Sequence, residues 1–193
     1  NQAAFHPKYR KENSISNLSR LQANDFKNIV ILGIGGSFEG PKLLIESLSK
    51  PCVEKINHIF VTGSDPHEFK EKIYLLDPKE TIFIISSKSF TTDETLETLK
   101  DAINWSGDME RFIAITANKD EATKYDIKNI IEFDKEIGGR YSIWSDISIP
   151  ALCGNQSLFN PVDFLRGGHQ ADLDLENNKD YLNLIKHLSY SDI

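Results

Sequence analysis

Five short runs of β-branched and other apolar residues recur along the chain, separated by segments with the periodicity of amphipathic helices. Each run has the length and composition of a strand that is buried on both faces. The runs are 29–34, 58–61, 81–85, 111–116 and 127–133, and the helical segments between them are 41–49, 66–76, 93–105 and 120–125. Because each connection between parallel strands must cross over the sheet, this alternation predicts a parallel sheet with helices on both faces.

The pattern changes after Phe133, where a glycine-containing segment leads into further apolar helical stretches at 147–152, 161–175 and 178–188. We expect residues 1–28 to be a helical or irregular lead-in, residues 29–146 to form the α/β domain, and residues 147–193 to form a helical extension. The last apolar stretch looks unfinished, so we interpret the chain as a fragment that stops before a second domain.

Charge and cysteine usage argue against several classes of protein. The chain carries 22 Lys and Arg against 29 Asp and Glu, a net charge of -7, and it lacks a basic stripe that would bind nucleic acid. Cys52 and Cys153 have neither metal-ligand nor disulfide-framework spacing, so no metal site and no disulfide framework are expected. Without a secretory signal or a membrane-length apolar stretch in these residues, we expect a cytoplasmic protein that does not bind membranes.

The loop after the first predicted strand, residues 33–41, reads GIGGSFEGP. Glycines allow a ligand to approach the backbone closely, and Ser37 with the amides entering a helix can donate to anionic oxygens. A dinucleotide site is an alternative, but Phe38 stands where G-x-G-x-x-G needs its third glycine. A third interpretation is that the glycines merely form a tight turn.

The loop after the third predicted strand, residues 86–95, reads SSKSFTTDET. Clustered hydroxyls and main-chain amides at the start of a helix form a phosphate nest that needs no metal. An ordinary Ser/Thr helix cap would explain Asp93 and Glu94 in the first turn, but it explains the number of hydroxyls poorly. The absence of G-K-[ST] argues against a nucleotide P-loop.

A third segment, residues 136–145, reads EIGGRYSIWS and places Arg140 beside two glycines. A guanidinium held there could orient a substrate oxygen or stabilise developing negative charge. The alternative is a surface arginine that pairs with Glu136.

In this order and spacing, the three segments resemble the glucose-6-phosphate isomerase (phosphoglucose isomerase) family. Its patterns are G-I-G-G-S-x-x-G-P, S-K-T-F-T-T-x-E-T and G-G-R-Y-S-x-W-S, and residues 167–172, GGHQAD, look like its G-A-H-x-x-D stretch. Glu39 replaces the usual Leu, Ser89 replaces Thr, and Ser148 stands where the family usually has Gly. The resemblance implies an N-terminal sugar-isomerase domain, a three-layer αβα sandwich with a five-stranded parallel sheet in the flavodoxin-like order.

The resemblance also implies roles for individual residues. The family interconverts glucose 6-phosphate and fructose 6-phosphate through a cis-enediolate, without a cofactor, and its members commonly form homodimers. Arg140 would be the catalytic residue that faces the reacting carbons. The substrate-binding residues would be Gly36, Ser37 and Gly139 around the sugar, and Ser87, Lys88, Ser89 and Thr92 around the phosphate.

The family's catalytic Glu, its ring-opening His and its C-terminal Lys fall later in the chain than this sequence reaches. His169 is not that His, and we interpret it as a structural histidine with satisfied hydrogen bonds. We therefore expect this chain alone to bind sugar phosphate weakly and to isomerise it negligibly. A non-catalytic sugar-phosphate-sensing domain of the same fold, a module fused to another sugar-phosphate enzyme, and a protein-interaction module remain alternatives.

Overall fold

A computed structural model of the chain describes residues 26–48, 56–137, 139–148 and 161–191. These residues form a parallel sheet whose strands are all within two residues of the predicted bounds. The strands are β1 (Asn28–Leu32), β2 (Asn57–Val61), β3 (Thr81–Ser86), β4 (Phe112–Thr116) and β5 (Asn129–Glu132), in the order β2-β1-β3-β4-β5. This order is the flavodoxin-like one that the resemblance implied, and that prediction is confirmed.

Helices connect the strands and continue after the sheet. They are α1 (Gly36–Leu48), α2 (Pro66–Ile73), α3 (Asp93–Ser106), α4 (Lys119–Thr123), α5 (Pro161–Asn177) and α6 (Lys179–Ser191), with 3-10 helices at Pro78–Glu80, Met109–Arg111 and Gly139–Trp144. Local chemistry sets several of these bounds. The Asp65 side chain accepts from the His67 amide at the start of α2, and Gly107 ends α3 with a φ of 66°, in the left-handed region that suits glycine.

Side chains of the strands alternate between two apolar layers, one on each face of the sheet. The first face presents Ile29, Ile31, Ile82, Ile84, Ile113, Ile115 and Ile131, and the second presents Val30, Leu32, Phe83, Ile85, Phe112 and Ala114. Ile45 of α1 and Leu165 of α5 pack on the first face, whereas Phe69 of α2, Leu99 of α3 and Ala122 of α4 pack on the second. Helices therefore cover both faces, which confirms the three-layer αβα sandwich.

Three predicted helix bounds were wrong by three residues or more, one of them the end of α6, which is Ser191 rather than residue 188. Helix α1 begins at Gly36 rather than at Pro41, and α2 ends at Ile73 rather than at residue 76. The sequence of α1 begins with two poor helix formers, Gly36 and Gly40, and contains a proline. Tertiary packing overrides this poor propensity, because the Gly139–Trp144 segment lies against the glycine side of the helix.

The lead-in and the helical extension are only partly within the described ranges. Residues 1–25 and 149–160, and with them most of the predicted 147–152 stretch, lie outside the described residues, as do both cysteines. Ile147 and Leu165 join the apolar layer on the first face of the sheet, whereas α6 exposes Tyr181 and Leu184. The division of the chain at residues 28 and 146 stays a prediction. None of the helices in the described ranges is both long enough and apolar enough to cross a membrane.

Lys27 precedes β1 and forms hydrogen bonds with residues at the starts of β2 and β3. Its amide donates to the Glu80 carbonyl at 2.8 Å, and its own carbonyl accepts from the Asn57 amide at 2.8 Å. The Lys27 ammonium also donates to the Glu80 carboxylate at 2.7 Å. This hydrogen bond, together with the carboxylate's negative charge, raises the pKa of Lys27 above its ordinary value.

Candidate functional site

A cavity of about 580 Å³ lies beyond the carboxyl ends of the strands. Helix α1 follows β1 onto one face of the sheet, and α3 follows β3 onto the other face. Because β1 and β3 are neighbours, the loops after them diverge and leave a crevice between them. The N-termini of both helices border this crevice, so two helix dipoles present their positive ends to it.

All seven residues predicted to bind substrate line this one cavity. They come from three segments that are far apart in the sequence: Gly36 and Ser37, then Ser87, Lys88, Ser89 and Thr92, then Gly139. Their convergence argues against the interpretation of the glycine loop as a turn without a ligand.

Two serine side chains stabilise the conformation of the hydroxyl loop, residues 87–92. The Phe90 amide donates to Ser87 Oγ at 3.1 Å, and the Thr91 amide donates to Ser89 Oγ at 3.2 Å. Phe90 has a φ of 54°, which is rare for a residue with a side chain, and its ring is only 1% exposed. The buried ring anchors the loop in this conformation.

Several donors of this loop are not used by the protein. Thr92 is the N-cap residue of α3, yet its side chain makes no capping hydrogen bond, and Thr92 Oγ1 lies 3.5 Å from Ser87 Oγ. Within the described ranges, the amides of Lys88, Ser89 and Thr92 have no protein acceptor. The first amides of α3 likewise have no acceptor within their helix. An ordinary helix cap therefore does not account for Thr92, whereas an anion-binding nest does.

Lys88 connects the hydroxyl loop to two other parts of the site. Its carbonyl accepts from the Ala117 amide at 3.0 Å and from Thr116 Oγ1 at 3.3 Å, after β4. Its ammonium donates to the Ile137 carbonyl at 2.9 Å. The side chain thus lies along the cavity wall and points to the segment that contains Arg140.

Close packing brings the start of α1 against the Gly139–Trp144 3-10 helix. A Cβ atom at Gly36 would lie 1.9 Å from the Gly139 carbonyl oxygen, and one at Gly40 would lie 3.1 Å from Ser148 Oγ. Ser142 Oγ donates to the Gly139 carbonyl at 2.6 Å and lies 3.3 Å from the Gly36 carbonyl oxygen. Only glycine fits at position 36 in this arrangement.

Arg140 lies in the same 3-10 helix, but its side chain is outside the described part of the structure. Its catalytic role stays a prediction. His169 lies on α5 and is not among the residues that line the cavity. Its buried Nδ1 has no hydrogen-bond partner in the described ranges, so the expectation of a fully satisfied histidine was wrong for this atom.

Sequence reasoning missed four polar residues that also line the cavity: Thr95, Asn118, Lys135 and Ser142. Asn118 and Lys135 follow β4 and β5, whose carboxyl ends lie on the same edge of the sheet as those of β1 and β3. The rule that ligands bind at this edge could have pointed to both loops. In the ranges that the structure covers, no three His, Cys, Asp or Glu residues are grouped so that they could hold a metal ion.

The sequence pattern that defines the family Phosphoglucose isomerase matches residues 16–185. The chain belongs to the phosphoglucose isomerase family. It is also 40% identical over 161 residues to the glucose-6-phosphate isomerase of Shewanella sp. strain MR-4, and 40% identical over 156 residues to that of Shewanella putrefaciens. The alignments cover 78% and 75% of this chain, but the chain spans only 29% and 28% of the length of these relatives.

Solved structures show the same fold. A glucose-6-phosphate isomerase from Chlamydia trachomatis superposes with a TM-score of 0.72 at 24% identity, covering 88% of this chain and 34% of that chain. A hypothetical protein from Thermus thermophilus superposes with a TM-score of 0.78 at 21% identity, covering 88% of this chain and 43% of that chain. At these identities the similarity shows a shared fold and nothing beyond it.

Proposed function

We propose that this chain is the sugar-phosphate-binding domain of a glucose-6-phosphate isomerase, which interconverts glucose 6-phosphate and fructose 6-phosphate. The observation that carries the proposal is the convergence of seven residues from three distant segments in one cavity, with unused donors on its wall. Membership in the phosphoglucose isomerase family supports the choice of substrate.

The phosphate would lie at the N-terminus of α3. The free amides of Lys88, Ser89 and Thr92 and the Ser and Thr hydroxyls can donate to its oxygens, and the helix dipole favours its negative charge. Charge-assisted hydrogen bonds of this kind are worth about 1.5–3 kcal/mol each. The Lys88 ammonium, held by the Ile137 carbonyl, adds positive charge nearby without being required as a direct ligand.

The sugar would extend from the phosphate toward α1 and the Gly139–Trp144 segment. Gly36 and Ser37 lie at one wall and Gly139 at another, so the carbon chain would pass between them. Isomerisation moves a proton between C1 and C2 through a cis-enediolate, whose developing negative charge needs a nearby cation. Arg140 is our candidate for that cation, because its backbone belongs to the segment that lines this wall.

Proton transfer would need groups that these residues do not supply. By the resemblance, the base, the ring-opening histidine and a further lysine come from polypeptide beyond residue 193. We therefore propose that residues 1–193 alone bind sugar phosphate but do not isomerise it, and that the full-length protein acts as a homodimer. Wild-type-like turnover by the 193-residue chain would contradict the first statement, and a monomeric mass in sedimentation would contradict the second.

Calorimetry on the full-length protein with 6-phosphogluconate tests the binding site directly. The double variant Lys88→Ala plus Thr92→Ala removes one cation and one hydroxyl from the cavity wall, and we expect it to weaken binding by about tenfold to a hundredfold. The matched control is Thr123→Ala plus Lys124→Ala, the same residue types exposed at the C-terminal end of α4. The proposal fails if the wild-type protein does not bind, or if both double variants bind like the wild type.

A coupled assay that follows glucose 6-phosphate formed from fructose 6-phosphate tests the reaction. Turnover by the full-length wild type is the expected result. Binding without turnover would instead favour the sensing-domain alternative, because such a domain needs the phosphate nest but not the chemistry.

A further inference from the structure

The 3-10 helix Gly139–Trp144, which contains Arg140, is attached to the rest of the cavity wall at two points. Before it, the Ile137 carbonyl accepts from the Lys88 ammonium at 2.9 Å. Within it, Ser142 Oγ lies 2.6 Å from the Gly139 carbonyl oxygen and 3.3 Å from the Gly36 carbonyl oxygen. The second attachment joins the 3-10 helix to the first turn of α1.

Ser142 lines the cavity, but its hydroxyl is already engaged. The side chain is 1% exposed, and its single hydroxyl proton lies between two carbonyl oxygens. A hydroxyl placed between two carbonyl oxygens links the two segments that carry them. Ser142 is therefore placed to hold the Gly139 carbonyl against α1 and not to donate to a substrate.

The contact at Gly36 makes this attachment sensitive to small movements. The Gly139 carbonyl fits against Gly36 only because position 36 has no Cβ atom. When the hydroxyl is lost, its hydrogen bond to the Gly36 carbonyl oxygen is lost with it, and the turn can shift away from α1. Arg140 follows Gly139 directly, so its backbone would move with the turn.

We propose that Ser142 is a positioning residue of the isomerase: its hydroxyl sets where the Arg140 backbone lies relative to the sugar. The proposal rests on the proposed function. It separates two parts of the site. Within the described ranges, the hydrogen bonds of the Ser142 hydroxyl go to Gly139 and Gly36, and none goes to the hydroxyl loop that would hold the phosphate. Loss of the Ser142 hydroxyl should therefore affect the chemical step more than phosphate binding.

The test compares Ser142→Ala with Ser145→Ala in the full-length protein. Ser145 is a matched control because it is also buried next to this segment. Its hydroxyl donates to the Ser142 carbonyl at 2.7 Å and accepts from the Ile147 amide at 3.3 Å, and in the described ranges it has no hydrogen bond to α1. We measure kcat and KM for fructose 6-phosphate, inhibition by inorganic phosphate, inhibition by a phosphorylated aldonohydroxamate that mimics the planar enediolate, and thermal unfolding. If Ser142→Ala does not fold, Ser142→Cys takes its place, since a thiol fills similar space but is a weak donor.

We expect Ser142→Ala to lower kcat by about tenfold to a hundredfold, the scale of a displacement of about 1 Å at a reacting centre. The hydroxamate should bind more weakly by a similar factor, whereas inhibition by inorganic phosphate should change by less than about twofold. Ser145→Ala should leave kcat within about threefold. An unchanged kcat in Ser142→Ala, or equal losses in both variants, would overturn the proposal. A wild-type protein without isomerase activity would instead refute the proposed function.

Discussion

Replacement of Gly36 by alanine is the sharpest test of the packing between α1 and the Gly139–Trp144 segment. The new Cβ atom would lie 1.9 Å from the Gly139 carbonyl oxygen and 2.4 Å from its carbon, whereas Cβ contacts under 3.0 Å are essentially never seen. The backbone of one segment must therefore move by about 1 Å or more, which is the scale on which misplacement costs about a hundredfold in rate. Overpacking of this kind also costs about 1–3 kcal/mol of stability.

Helix propensity alone predicts the opposite effect of Gly36→Ala on stability. Alanine is a better helix former than glycine by up to about 1 kcal/mol, so Gly36→Ala would be neutral or stabilising if α1 were free of this contact. Gly167→Ala is the control, because Gly167 is also helical and a Cβ atom there would meet nothing within 4 Å. Urea unfolding and kcat/KM of the full-length protein measure both effects. A Gly36→Ala protein that is as stable and as active as the wild type would refute the packing argument.

The remaining predictions concern the hydroxyl loop and an ion pair at the opposite end of the sheet. Ser87→Ala should weaken phosphate binding and also destabilise the fold by about 1–3 kcal/mol, because the Phe90 amide loses its acceptor. Ser89 is exposed, so Ser89→Ala should weaken phosphate binding with little effect on stability. Calorimetry and urea unfolding separate the two, and equal stabilities would contradict the role given to Ser87. Glu80→Gln should lower the pKa of Lys27 toward 10.5, as followed by NMR titration of its side chain. Because the pKa of Lys27 is raised in the folded state, the ion pair stabilises the fold below pH 10.5, and this contribution is lost as the pH rises through the folded pKa. An unchanged titration of Lys27 in Glu80→Gln would contradict this assignment.

The strands of this protein were predictable because their signal is local. Runs such as residues 82–85 in β3, IFII, are apolar at consecutive positions, which is typical of a strand covered on both faces. The start of α1 was not predictable in the same way. Gly36, Gly40 and Pro41 are poor helix formers, and the contact that explains the glycines involves residues about a hundred positions later.

The residues of the candidate site likewise differ in whether local sequence could predict them. The hydroxyl loop, residues 87–92, could be recognised from its composition, because many hydroxyls before a helix exceed what a cap needs. Asn118 and Lys135 could not be recognised from composition, since a single Asn or Lys in a loop is common. Their membership in the cavity depends on which strands are neighbours, and that order is decided by how the helices pack on the two faces.

The sequence by itself determined an α/β domain with a parallel sheet, a phosphate-type loop and three motifs of one isomerase family. Only the tertiary structure decided that Gly36 must be glycine, that Thr92 makes no capping hydrogen bond, and that Lys88 and Ser142 donate to the carbonyls of Ile137 and Gly36. The physical reason is the range of the interactions. Apolar periodicity and loop composition act between residues close in sequence, whereas the contacts that shape the cavity join segments that meet only when the sheet is complete.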